Sequence, residues 1–174
     1  MSQGVTRARL LAVARELQGQ PYAHQGRLER LYAPGKANTE GVVNVDFTLR
    51  GPGVDCIGSM LYVGRYTGLS SFEKLGYSAE PDGEEFGRLL REEMDELPEV
   101  AATSTPWPWG VRPGDLLAHD YGGGIQHVSM VTNYNGWRWT CLHATRTNGC
   151  HESGLELVYS KAIVGAFRAR GLAD

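Results

Sequence analysis

The chain changes its hydrophobic period near residue 112, and that change constrains the fold more than any other feature. Upstream of Arg112-Pro113-Gly114-Asp115, apolar residues recur at helical spacing. Residues 5–18 place Leu10, Val13, Ala14 and Leu17 on one stripe, with Arg7, Arg9, Arg15 and Glu16 outside it. Residues 84–97 align Phe86, Leu89, Leu90, Met94 and Leu97 along one side, with Glu84 and Arg88 as a supporting pair. Downstream, short strand-like runs take over at 116–119, 127–132, 137–144 and 163–168, and Asn133 to Gly136 supplies a hairpin turn between the second and third. Helices followed by strands on short connections predict an α+β fold built on an antiparallel sheet.

With 174 residues, 41% of them hydrophobic, the chain suffices for one well-buried core, so residues 1–174 read as a single domain. Gly19 to Pro21 stop the first helix, and residues 21–26 read as an extended turn. Residues 27–53 form an excursion holding the alternating run Val43-Asn44-Val45-Asp46-Phe47-Thr48-Leu49, which fits a half-buried strand or hairpin. After Gly51-Pro52-Gly53, Asp55 is a suitable N-cap for a helix that begins at Cys56, and Gly58 and Gly64 on that helix imply tight neighbours. Residues 101–110, with Trp107 and Trp109, read as an ordered loop wrapping the domain.

Net charge is −3, but residues 80–99 alone hold nine acidic and two basic side chains, which leaves the remainder mildly cationic. A solvated acidic helix face accounts for this, and no basic run or stripe suggests nucleic acid. Residues 1–17 interleave arginine with apolar residues and contain no signal peptide or membrane-spanning stretch, so synthesis in the cytoplasm without membrane insertion is expected. Three cysteines make a disulfide framework unlikely in such a chain.

The chemistry resides in Cys56 and in two histidines on strand-like runs, His127 and His143. A thiol at a helix N-terminus feels the positive end of the helix dipole, which favours thiolate. Cleaving an amide requires a nucleophile, a base, a group that orients the base, and donors for the oxyanion. Cys56 supplies the first, the N–H groups of its helix start the last. His127 fits the base. His143 fits the orienting group, with Trp137 and Trp139 on its strand face as an aromatic wall.

These residues resemble the papain-like cysteine peptidases of the NlpC type, which cleave bacterial cell-wall peptides. The likeness runs from Pro21-Tyr22 through Asp55-Cys56 and Arg112-Pro113-Gly114-Asp115-Leu116-Leu117 to His127-Val128 and Leu142-His143-Ala144. Pro21-Tyr22-Ala23-His24-Gln25 and Ile163-Val164-Gly165-Ala166-Phe167-Arg168 look closest to the branch found in phages and gene-transfer agents. The resemblance implies a papain-like fold with the nucleophile helix packed on the C-terminal sheet, and catalytic Cys56, His127 and His143. It further implies that Tyr22 lines the site and that Asp55 contacts substrate. The implied activity is hydrolysis of a peptidoglycan stem-peptide amide, commonly the γ-D-glutamyl to diamino-acid bond, by a protein at the virion tail tip beside hub proteins. Two departures stand out: Ile57 follows the nucleophile where many members have Ser, and residues 27–53 lengthen the path from Tyr22 to Cys56.

Other readings run beside this one. The same fold could serve as a structural tail-tip assembly protein, or the same dyad as a cytosolic thiol amidase or acyltransferase. Cys141, His143, Cys150 and His151 have zinc-ligand types but lack paired Cys-x-x-Cys spacing, so no metal and no cofactor is expected. His24, His119 and His151 read as surface or turn residues, and Gly122-Gly123-Gly124 as a flexible loop beside His127.

Overall fold

A computed structural model describes residues 4–32, 47–69, 82–97, 110–136, 138–155 and 161–173. Strand β1 (Val5–Thr6) leads into helix α1 (Arg7–Arg15), with the Thr6 side chain accepting a hydrogen bond from the Arg9 N–H as N-cap. The predicted stripe holds: Leu10, Val13, Ala14 and Leu17 are all buried. Strands β2 (Glu29–Tyr32) and β3 (Phe47–Arg50) pair antiparallel. The strand predicted over 43–49 is thus found at its C-terminal end, while residues 33–46 lie outside those described. Arg30 fastens the pair to the helices, donating to the Glu16 carboxylate at 2.7 Å while its guanidinium lies over Phe47 and Tyr66.

Helix α2 (Cys56–Thr67) begins at the predicted residue and ends at Gly68, whose φ of 80° forms a left-handed cap. Helix α3 (Gly83–Glu93) is shorter than the predicted 84–97, because the chain turns extended at Met94 and becomes strand β4 (Met94–Glu96). Arg170 takes part in that ending, donating to the carbonyls of Arg91, Glu92 and Met94. On α3, Arg88 pairs with Glu92 at 2.5 Å; the two share an i,i+4 face, as do Glu84 and Arg88, the pair expected from the sequence.

The remaining strands are β5 (Leu116–Asp120), β6 (Ile125–Tyr134), β7 (Trp139–Thr145), β8 (Gly149–Gly154), β9 (Ile163–Ala169) and β10 (Leu172–Ala173). Six strands form one sheet in the order β4-β9-β5-β6-β7-β8, with every neighbouring pair antiparallel. Strand β10 returns to pair in parallel with β1, joining the two ends of the chain. The mixed α+β class is as predicted. No helix among the described residues is long and apolar enough to cross a membrane.

Alternation along the strands gives the sheet two different faces. Leu116, Ala118, Val128, Met130, Leu142, Ala144, Cys150 and Phe167 pack with the helical residues Leu10, Val13, Tyr62, Val63, Phe86 and Leu90 in the main core. Leu117, Val131, Cys141 and Ala166 face the other way, toward Val111 and Leu155. Asp115, fully buried at the entrance of β5, holds the layers together: it accepts from Arg7 at 2.9 Å, from Arg168 at 2.7 and 2.9 Å, and from the Arg112 N–H. A buried carboxylate with two guanidinium partners is satisfied where an unpaired one would be prohibitively costly.

Candidate active site

The start of α2 is held by its own cap and by the segment that precedes α2's partner turn. Asp55 is 3% exposed, and its carboxylate accepts from the Gly58 N–H at 2.7 Å and from the Gln25 N–H at 2.7 Å, with His24 Nδ1 3.5 Å away. These bonds make Asp55 a positioning residue for the start of α2. Gln25 adopts a φ of 53°, a left-handed conformation that a non-glycine residue keeps only when its surroundings demand it. Gly58 is needed for the same closeness: a Cβ there would lie 2.5 Å from the Gly26 carbonyl oxygen.

Tyr22 lies beside Val54 despite the long excursion. Pro21 O accepts from Val54 N–H at 3.0 Å and Val54 O accepts from Ala23 N–H at 3.1 Å, a parallel bridge that sets Tyr22 beside Val54, two residues before Cys56. On its other side the same segment is tied to β8, through Gly19 N–H to Cys150 O and Cys150 N–H to Gln20 O, both 2.8 Å. Residues 29–32 and 47–50, the described ends of the excursion, pair with each other.

The Cys56 thiol sits against β6. The N–H groups of Val128, Ile57 and Cys56 itself act on the thiol and favour its charged form. The site is open to such an approach because the β6–β7 pairing starts at Met130 and Leu142, and residues 125–129 of β6 pair with β5 only. Val128 is the neighbour of His127, and its side chain packs in the main core with the helices.

Burial reverses the electrostatic expectation for the thiol. Desolvation pushes the Cys56 pKa up to about 12, the nearby Asp55 charge adds to the rise, and the three N–H groups oppose it without winning. The thiolate predicted from the helix dipole is therefore not the resting form. Burial likewise lowers His127 to about 3, with His119 and His143 contributing, and lowers His143 to about 4, with His151 contributing. Both rings rest neutral, and each keeps a lone pair that can accept a proton, although burial makes it a weak base.

His127 Nε2 lies 3.1 Å from His143 Nδ1, and His143 Nε2 lies 2.9 Å from Ser153 Oγ. The contact with His143 uses Nε2 of His127 and leaves Nδ1 outside it. His143 is 7% exposed. Its aromatic neighbours are His127 and His151, with ring centroids at 5.3 and 4.6 Å; Trp139 stacks on Tyr134 instead, and Trp137 lies outside the described residues.

Four imidazoles in fact form a row across the sheet. His119 opposes His127 in the β5–β6 register and His143 opposes His151 in the β7–β8 register. His119 is 2% exposed, its Nε2 2.8 Å from Ser129 Oγ, so the surface assignment is wrong for it; Tyr121 stacks on its ring. The run Leu116-Leu117-Ala118-His119 continued a buried strand, and strand alternation was the signal. His151 is half-buried in β8 rather than in a turn. The Gly122-Gly123-Gly124 loop is tethered: Asp120 Oδ1 accepts from the N–H groups of Gly122 and Gly124, and Gly124 packs on Gly83 so closely that a Cβ on either would clash. Trp107 and Trp109 fall outside the described residues.

Among the described residues no group of three His, Cys, Asp or Glu side chains is placed to hold a metal ion. Cys141 and Cys150 lie in the clusters on opposite faces of the sheet, so the two sulfurs do not converge with His143 and His151.

No family model matches the chain, and no curated protein matches it. Among solved structures it is similar to one described as the crystal structure of Ly7917, at 12% identity and a TM-score of 0.45, over 94% of this chain and 62% of that one. The chain thus spans less than two thirds of that structure's length, and a likeness at this level carries no argument about chemistry.

Proposed function

We propose that the chain is a papain-like cysteine peptidase of the NlpC type that hydrolyses an amide in peptidoglycan stem peptides, the γ-D-glutamyl to diamino-acid bond, as a component of a phage or phage-like tail tip. What supports this reading is the pair of rings His127 and His143, 3.1 Å apart, together with Cys56 at the first turn of a helix capped by Asp55.

Both groups start neutral, so the thiol proton leaves as the sulfur attacks. His127 Nδ1 takes that proton while sulfur bonds to the carbonyl carbon, and the N–H groups at the start of α2 face the oxygen that gains charge. Collapse breaks the C–N bond, and His127 returns the proton to the departing amine, leaving a thioester on Cys56. Water then attacks the thioester with His127 again accepting the proton, and the acid product leaves as the thiol is restored. In this reading Tyr22, fixed beside Val54, lines the site.

Digestion of purified sacculi followed by mass analysis of the released fragments tests the reading. The expected products carry a new amine on the diamino acid and a new carboxyl on glutamate, and the Cys56→Ala variant releases none. Equal fragment patterns from both proteins would refute it.

A further inference from the structure

We propose that Ser153 is a positioning residue that sets the direction of the proton chain through His143 to His127; this rests on the peptidase reading of the same site. Ser153 lies on β8 opposite Cys141, on the sheet face that carries His143 and His151, and its Oγ is 2.9 Å from His143 Nε2.

The argument is one of donor and acceptor counts. A neutral imidazole has one N–H and one lone pair. For His127 Nδ1 to accept the thiol proton, the ring must carry its own hydrogen on Nε2 and donate it to His143 Nδ1. His143 must then carry its hydrogen on Nε2 and donate it to Ser153 Oγ. The opposite order, with the Ser153 hydroxyl donating to His143 Nε2, runs the chain backwards and leaves a hydrogen on His127 Nδ1, where it blocks the base.

Ser153 is thus the terminus at which the two orders part. As an acceptor it satisfies the His143 N–H and keeps His127 ready; without it, that order loses the acceptor that fixes it, and the reversed order gains weight. Protonation of His127 during the reaction leaves the Nε2–H to His143 bond in place, so the chain orients the ring in both protonation states. A hydroxyl suffices for this, so Thr at the same place should keep the function.

Side-chain 15N spectra of the histidines in the full chain, with turnover of purified sacculi measured in parallel, test the proposal on wild type, Ser153→Ala and Ser153→Thr. The expected result is an Nε2–H tautomer for His127 in wild type and in Ser153→Thr, with a shift toward Nδ1–H in Ser153→Ala. Turnover in Ser153→Ala should fall roughly tenfold in kcat, the worth of about one neutral hydrogen bond, at unchanged KM, and recover in Ser153→Thr. An unchanged tautomer in Ser153→Ala overturns the proposal, as does a kcat equal to wild type. Failure of wild type to act on sacculi would instead remove the peptidase reading, while the tautomer comparison would still decide the role of Ser153.

Discussion

His127 and His143 lie diagonally across β6 and β7 with Nε2 and Nδ1 3.1 Å apart, at the place where β6 has parted from its neighbour and the start of α2 comes in. The N–H of Val128, next to His127 in β6, acts on the Cys56 thiol at the start of α2. Each further element serves that meeting: Asp55 caps the helix, the 21–23 segment braces it, and β8 supplies Ser153 behind His143.

The raised thiol pKa gives a specific alkylation profile. Labelling of Cys56 by iodoacetamide should rise about tenfold per pH unit through the alkaline range, following its small thiolate fraction. Cys141 and Cys150, both buried, should label only on unfolding. Fast labelling of Cys56 that is flat from about pH 4 to 8 would reveal a standing thiolate–imidazolium pair and contradict the neutral resting state.

The buried histidines make the fold sensitive to acid. Their folded pKa values, about 3 and about 4, lie below the ordinary 6.5, so the unfolded chain binds protons the folded rings refuse. Stability from this source is full above pH 6.5 and declines as pH falls from there toward 4. Melting temperatures recorded from about pH 7.5 to 5 should drop in wild type and drop less in a His127→Gln, His143→Gln variant. Parallel curves would count against burial of these rings.

Asp55→Ala removes the N-cap of α2 and leaves the Gln25 N–H without its acceptor. A loss of about 2–3 kcal/mol in urea unfolding is expected, the sum of a cap and a buried donor left unmet. Asp55→Asn should lose less, because its amide oxygen can still accept from Gly58. Equal stability of all three proteins would show that the cap is dispensable.

Gly58 reverses an ordinary rule. Replacing glycine by alanine inside a helix usually stabilises by about 0.5–1 kcal/mol. Here the added methyl meets the Gly26 carbonyl, so Gly58→Ala should destabilise by about 1–3 kcal/mol and displace the nucleophile. A stabilised Gly58→Ala would mean that the 21–26 segment does not press on α2 as described.

Much of this fold was legible in the sequence. Both long apolar stripes, the Cys56 helix start and strands β5, β6, β7 and β9 follow from period alone. Strand β8 did not, because Gly149-Cys150-His151-Glu152-Ser153-Gly154 has almost no hydrophobic side chains; its pairing with β7 supplies what its composition lacks. With β8 unread, Ser153 was invisible and His151 looked like a turn. The switch from α3 to β4 also escaped notice, since Met94 fits the helical stripe as well as the edge of the sheet. The thiol pKa went the other way from the local rule because the helix terminus is visible in sequence while the depth of its burial is a property of the packed chain.

The central claim is that Cys56 forms the bond to the substrate acyl group. Acid quenching during turnover of peptides released from sacculi, followed by mass mapping of the protein, measures this directly. The expected result is a thioester-linked acyl adduct on the Cys56 peptide, sensitive to hydroxylamine and absent in Cys56→Ala, which should also be inactive. Hydrolysis that persists in Cys56→Ala, or an adduct confined to another residue, would contradict it.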